Sequence, residues 1–281
     1  LCCLLEVSSK KLNDSPCSRK AYSSLMGSTL IYPFAVGNRT QSDLLGGKGA
    51  NLSEMVNMGL PVPPGFTITT EACREYLRTG KLPDSLLDEL EKAITALEKE
   101  LGREFGNPKN PLLVSVRSGA KFSMPGMMDT VLNLGLNDTS VVGLAESTNN
   151  ERFAFDSYRR FISMYGRIVL GIDSDKFEHP FVLAKSNAGV SSDAELPASA
   201  LRDLCETYKS VVKQSTGREF PQDPMKQLRG AVEAVFRSWN GSRAIAYRVR
   251  EKINHDLENT IGLKKEEFRL AGVLILFNNL L

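Results

Sequence analysis

Three short stretches carry side chains suited to holding an anion. The first is "DLLGGKGAN" at residues 43–51, where Lys48 sits among Gly46, Gly47 and Gly49. It is not a P-loop, which needs Gly, four residues, Gly-Lys and then Ser or Thr. Ser42 stands where the leading glycine belongs, and Gly49 where the hydroxyl belongs. A dinucleotide fingerprint fails as well, because Leu52 occupies the place of its third glycine. The stretch therefore reads as a glycine-rich turn with one lysine, serving either as a plain helix entry or as one wall of a phosphate site.

The second stretch is "SVRSGA", in which Arg117 follows Leu112, Leu113, Val114 and Val116. An arginine emerging from a buried strand is costly unless it is paired. A salt bridge would serve, with Asp129 as one candidate partner, and so would a bidentate clamp on a phosphate. The third stretch, "SMPGMMDT" at 123–130, holds Ser123, Gly126 and Met127. Glycine permits close backbone approach and lets successive N–H groups converge on an anion. The methionines suit either an apolar wall against a nucleotide or a turn packed by its own side chains.

These residues need elements to hold them. Residues 50–58 suit a helix, with Leu52, Met55 and Val56 on one face and Gly59 as terminator. The prolines of "LPVPPGFTITT" forbid helix and leave Phe66–Thr69 as a strand. Residues 71–79 return to helix, ending at Gly80. From 84 to 101, Leu86, Leu90, Ile94, Leu97 and Leu101 form one amphipathic stripe with Gly102 as its stop. "PLLVSVRSG" at 111–119 and "TVLNLGL" at 130–136 read as strands. Beyond residue 149 the pattern is mostly helical, and Phe153, Tyr158, Phe161, Ile162 and Tyr165 read as core. The fold class is α/β of the α+β kind, with a helical portion following a mixed one. "LAGVLILFNNLL" at the far end is too short to span a membrane; it is either a buried strand or sequence foreign to the fold.

Composition limits the function classes. With 42% apolar and 24% charged residues, the chain falls among globular soluble proteins. A net charge of +2 gives no nucleic-acid footprint, and no membrane span is expected. The five cysteines (Cys2, Cys3, Cys17, Cys73, Cys205) are odd in number and scattered, with no zinc spacing, which favours a reducing compartment over a disulfide framework. Residues 1–25 fit either a transit peptide or a leader ahead of Met26.

Taken together, "DLLGGKGANLSEMVNMGLPVPPGFTITTEAC", "NPLLVSVRSGAKFSMPGMMDTVLNLGLND" and "NNERFAFDSYRRFISMYG" closely resemble the N-terminal nucleotide-binding region of the pyruvate, phosphate dikinase family. The likeness runs from about Ile31 to about Ile253. Phosphoenolpyruvate synthases and glucan/water dikinases share the Lys and Arg elements, but typically lack the "SMPGMMDTVLNLGLND" run. The resemblance implies an ATP-grasp-like N-terminal lobe over 31–145, a helical subdomain over 146–255, and a leader-like segment and divergent tail at 1–30 and 256–281. It implies that Lys48 and Arg117 face the ATP phosphates and that the loop of Gly126, with Ser123 and Met127, closes over them. Gly46, Gly47 and Gly49 would support the turn.

The family reaction turns ATP, pyruvate and phosphate into AMP, phosphoenolpyruvate and diphosphate through a phosphohistidine on a separate domain. ATP and Mg2+ are the implied cofactors, with K+ or NH4+ as monovalent cation. Pyruvate and phosphate would engage only the full-length enzyme, for which a homodimer is implied. A cytoplasmic or an organellar home, of plastid or glycosome type, stays open.

The chain departs from the family after "RAIAYRVREKIN", where a Gly-Thr-Ala-Val-Asn-Val-Gln segment would follow. No segment matches the family's acidic magnesium ligands or its histidine motif, and neither His179 nor His255 is assigned a catalytic role. The expectation is an ATP-binding dikinase fragment, inactive toward pyruvate on its own, with no catalytic residue and no metal ligand in this chain. The alternatives are an inactive or regulatory nucleotide-binding fragment and a phosphoenolpyruvate synthase-like kinase.

Overall fold

The computed structural model describes residues 29–120, 124, 126–252 and 271–277. Readings that fall on residues 1–25, Ser123 or His255 lie outside them. Strand β1 (Ile31–Pro33) leads into helix α1 (Ser42–Asn57), strand β2 (Gly65–Ile68), and helices α2 (Thr70–Thr79) and α3 (Asp84–Leu101). Two short strands, β3 (Glu104–Phe105) and β4 (Pro111–Leu112), precede β5 (Val114–Ala120) and β6 (Thr130–Leu134). Helices α4 (Ser140–Thr148), α5 (Glu151–Ile168), α6 (Asp175–Ala188), α7 (Ala198–Thr216), α8 (Pro224–Ser238) and α9 (Ser242–Arg250) follow, and then strand β7 (Ala271–Phe277). Helices and an antiparallel sheet together make this an α+β fold.

The five-stranded sheet runs β1-β2-β7-β5-β6. The apolar run near the end of the chain, which the sequence leaves open between buried strand and foreign segment, is its central strand. β7 pairs antiparallel with β2 (Phe66 opposite Ile275) and with β5 (Val116 opposite Ile275). Because side chains alternate along a strand, one face carries Ile31, Phe66, Ile68, Val114, Val116, Val273 and Ile275, all buried in the main core. Helices α2, α3, α5 and α8 contact the strands and share that core.

The leucine stripe expected over 84–101 is realised in α3. Leu86, Leu90, Ile94 and Leu97 are buried there, and Gly102 ends the helix in the left-handed region. Each such side chain contributes about 2 kcal/mol of apolar burial. Helix α8 starts on Asp223, which accepts from the N–H groups of Met225 and Lys226, with Pro224 as the first helical residue. Buried Gln227 then ties α8 to the end of β6: its Oε1 accepts from Gly135 N at 3.0 Å, and its Nε2 donates to Leu136 O at 2.9 Å. Among the described residues no helix is long and apolar enough to cross a membrane.

Candidate functional site

The glycine-lysine stretch is not a turn ahead of a helix at residue 50. Helix α1 begins at Ser42 and breaks at Gly46, whose φ of 70° and ψ of 162° interrupt it. Gly47, Lys48 and Gly49 form the first turn after the break. The opening turn of a helix leaves its N–H groups without intrahelical partners. The sequence pattern concealed this, because helix propensity counts three glycines in four residues as a stop.

The reason for the break lies in the sheet. A Cβ on Gly46 would fall 1.6 Å from the carbonyl oxygen of Gly119 on β5, so only glycine fits there. A Cβ on Gly49 would meet Thr67 Oγ1 at 2.8 Å and Leu274 Cδ2 at 3.3 Å. Helix α1 therefore lies flat on β2, β7 and β5, on the face opposite the main core. A Cβ on Gly119 would sit 3.6 Å from the Cβ of Lys48, and Arg117, two residues before Gly119, shares that face.

Lys48 and Arg117 are both exposed. Arg117 stands opposite Thr130 of β6 and Leu274 of β7, and its Nε donates to Ser115 Oγ at 3.4 Å. It does not pair with Asp129, which is 3.2 Å from Arg243 of α9. Lys48 and Arg117 thus put two cations on one face, and Arg117 forms no ion pair with an acid among the described residues.

The Gly126 loop is the connection between β5 and β6, so it rises at the end of the sheet where Lys48 and Gly119 meet. Gly126 has φ 71°, is exposed, and has open space where a Cβ would stand. Met127 N donates to Met124 O at 3.2 Å and closes a turn. The methionines lean away from the Lys48 face. Met124 is buried against Trp239, and half-buried Met127 and Met128 pack on the same pair.

Sequence reading missed the residues that hold this loop. Arg243 donates to Gly126 O at 3.3 Å as well as pairing with Asp129, and Asp129 N donates to Ser238 Oγ at 3.3 Å. Arg248, 1% exposed, lies 4.2 Å from the centre of the Trp239 ring, and one of its η nitrogens donates to Trp239 O at 2.5 Å. Burial lowers the Arg248 pKa from the ordinary arginine value. The available signal was the chain's single tryptophan in "SWNGSRAIAYRVR", with Arg243 and Arg248 four and nine residues after it.

Among the described residues there is no group of three or more His, Cys, Asp or Glu that could hold a metal ion. Asp129 is engaged by Arg243. The described residues around Lys48 and Arg117 offer no set of acids that fits a magnesium ion. His179 lies exposed on α6. Cys73 and Cys205 are buried and in no disulfide.

A family model described as pyruvate phosphate dikinase, AMP/ATP-binding domain, matches residues 42–89 and 80–271. The chain is 50% identical over 244 residues to a pyruvate, phosphate dikinase of Clostridium symbiosum, covering 86% of this chain and 28% of that protein. It is 50% identical over 229 residues to one from Giardia intestinalis, covering 82% of this chain and 26% of the relative. It is 54% identical over 213 residues to the chloroplastic dikinase 1 of Arabidopsis thaliana, covering 75% and 22%. The chain thus spans about a quarter of the length of these relatives.

Proposed function

The chain belongs to the pyruvate phosphate dikinase AMP/ATP-binding domain family, and on that premise we propose that Lys48, Arg117 and the Gly126 loop hold the phosphates of ATP. The observation that carries this reading is the seating of Gly46 on Gly119, which brings the Lys48 side chain to the sheet face that Arg117 occupies. Lys48 supplies a point charge, and Arg117 a planar fork that fixes phosphate orientation. The N–H groups of Gly47, Lys48 and Gly49, at a helix start, favour the same negative charge. The Gly126 loop covers the phosphates from the sheet end, offers backbone N–H groups and excludes water. Its position depends on Arg243, Ser238 and Trp239. Ser123 and Met127 remain part of the proposed loop, with Met127 acting through its packing.

On this reading the sheet and α1 form the N-terminal lobe of an ATP-grasp-like unit, with the helical portion following. The relatives are named for pyruvate and phosphate chemistry, and this chain covers 22–28% of them. We therefore assign nucleotide holding to these 281 residues and expect no phosphoenolpyruvate formation by them alone. Calorimetry with ATP and magnesium is the test. Binding that weakens in both Lys48→Ala and Arg117→Ala supports the reading; binding indifferent to both substitutions, or no binding by the parent, sinks it. A coupled assay yielding phosphoenolpyruvate from the 281 residues would overturn the second expectation.

A further inference from the structure

We propose that Arg248 is a positioning residue for the Gly126 loop, acting through the indole of Trp239 on Met124. Three observations carry it. Arg248 is a nearly fully buried cation that forms no salt bridge among the described residues, and its Nε has no hydrogen-bond partner. A buried guanidinium in that state is expensive, and removing it in favour of an apolar side chain is often neutral or stabilising. Its guanidinium instead engages Trp239 twice: it lies 4.2 Å from the centre of the ring and donates to the carbonyl at 2.5 Å.

Trp239 in turn has Met124 as its buried partner in a satellite cluster apart from the main core. Met124 O then accepts from Met127 N at 3.2 Å, which closes the turn that contains Gly126. The order of contact is therefore guanidinium, indole, thioether, loop backbone. A cation over an indole face is attracted to it, more strongly when desolvated, and so holds the ring, while a thioether adapts to whatever surface the ring presents. Arg248 thereby sets where the turn closed by Met124 and Met127 sits against Trp239. Arg243 and Ser238 secure the loop's other limb, through Gly126 O, Asp129 Oδ1 and Asp129 N.

The consequence for nucleotide affinity rests on the reading under Proposed function; the consequence for the loop does not. Two amides report on the loop directly, those of Met127 and Asp129. The chain's one tryptophan, Trp239, reports on the stack.

The test is hydrogen exchange on the 281-residue chain, comparing the parent with Arg248→Lys, Arg248→Met and Trp239→Phe. Expected is exchange about tenfold faster at Met127 and Asp129 in Arg248→Met, a smaller rise in Arg248→Lys, and unchanged protection at Ile94 and Leu97 of α3. Trp239 emission should shift in both arginine variants. If Arg248→Met does not fold, the lysine and Trp239→Phe variants carry the same signature. Unchanged loop exchange, or loosening of α3 in step with the loop, overturns the proposal. In calorimetry with ATP and magnesium, Arg248→Lys should weaken binding about threefold to tenfold. If the parent binds no nucleotide, the functional reading fails and the exchange data still decide this one.

Discussion

Gly46 and Gly119 touch backbone to backbone. The α carbon of one lies so close to the carbonyl of the other that a Cβ on Gly46 would stand 1.6 Å from the oxygen. This contact lays α1 on β5 and places Lys48 beside the strand that carries Arg117.

Gly46 and Gly126 share a nearly identical positive φ, 70° and 71°, but not the same surroundings. Gly46→Ala meets both backbone strain and the Gly119 carbonyl, and should cost about 3 kcal/mol or more. Gly126→Ala meets open space and should cost only about 1 kcal/mol. Denaturant unfolding of the two variants reads the difference directly, and equal losses would remove the close contact as the cause.

Lys48 and Arg117 are exposed, so replacing either with alanine should leave the unfolding free energy within about 0.5 kcal/mol of the parent. Nucleotide affinity should nonetheless fall about tenfold to a hundredfold, the range of a hydrogen bond to a charged group. Paired melting curves and calorimetric titrations check both halves of this expectation.

Ile275 lies between Phe66 and Val116 in the centre of the sheet and is fully buried. Ile275→Ala should cost about 3 kcal/mol by cavity formation. Removing residues 271–281 should abolish cooperative unfolding, because β2 and β5 would each lose a hydrogen-bonded neighbour. A truncated chain that melts as sharply as the parent would deny β7 this role.

Burial pushes the Cys205 thiol up to about 12, from an ordinary value of 9.0, and the Tyr208 hydroxyl up to about 12. Burial likewise raises Tyr158 and Tyr165. In each case the unfolded chain gives up its proton at lower pH than the folded one. The associated stability is thus fully present below about pH 9 and is lost as pH rises toward 12. Unfolding measured across that range should show the decline. Cys205→Ala should flatten its first part, and the Cys205 thiol should resist alkylation in the folded chain at pH values where free thiols react.

Much of this was legible in residue spacing. The stripe of α3 and the strands around Val116 and Val131 follow from periodicities of 3.6 and 2. Lys48, Arg117 and Gly126 stood out because charge and glycine are conspicuous in apolar surroundings. What escaped notice was determined by partners distant in sequence. The break at Gly46 exists for Gly119, 73 positions away. Asp129 meets Arg243 rather than Arg117, across 114 positions. The methionines pack on Trp239 at the end of α8, more than a hundred positions away, and no local pattern encodes that. The apolar run of β7 could be recognised as a strand, but its place in the middle of the sheet depends on edges supplied by β2 and β5.

That placement has a consequence for how the protein is made. During synthesis β2 and β5 leave the ribosome well before β7, and the slot between them stays vacant while nearly all the helical portion is produced. Two unsatisfied strand edges then face each other across the width of one strand, open to capture by another chain. Strand β7 must pair with two strands far earlier in the sequence, which makes its insertion a late, long-range step in acquiring the native state.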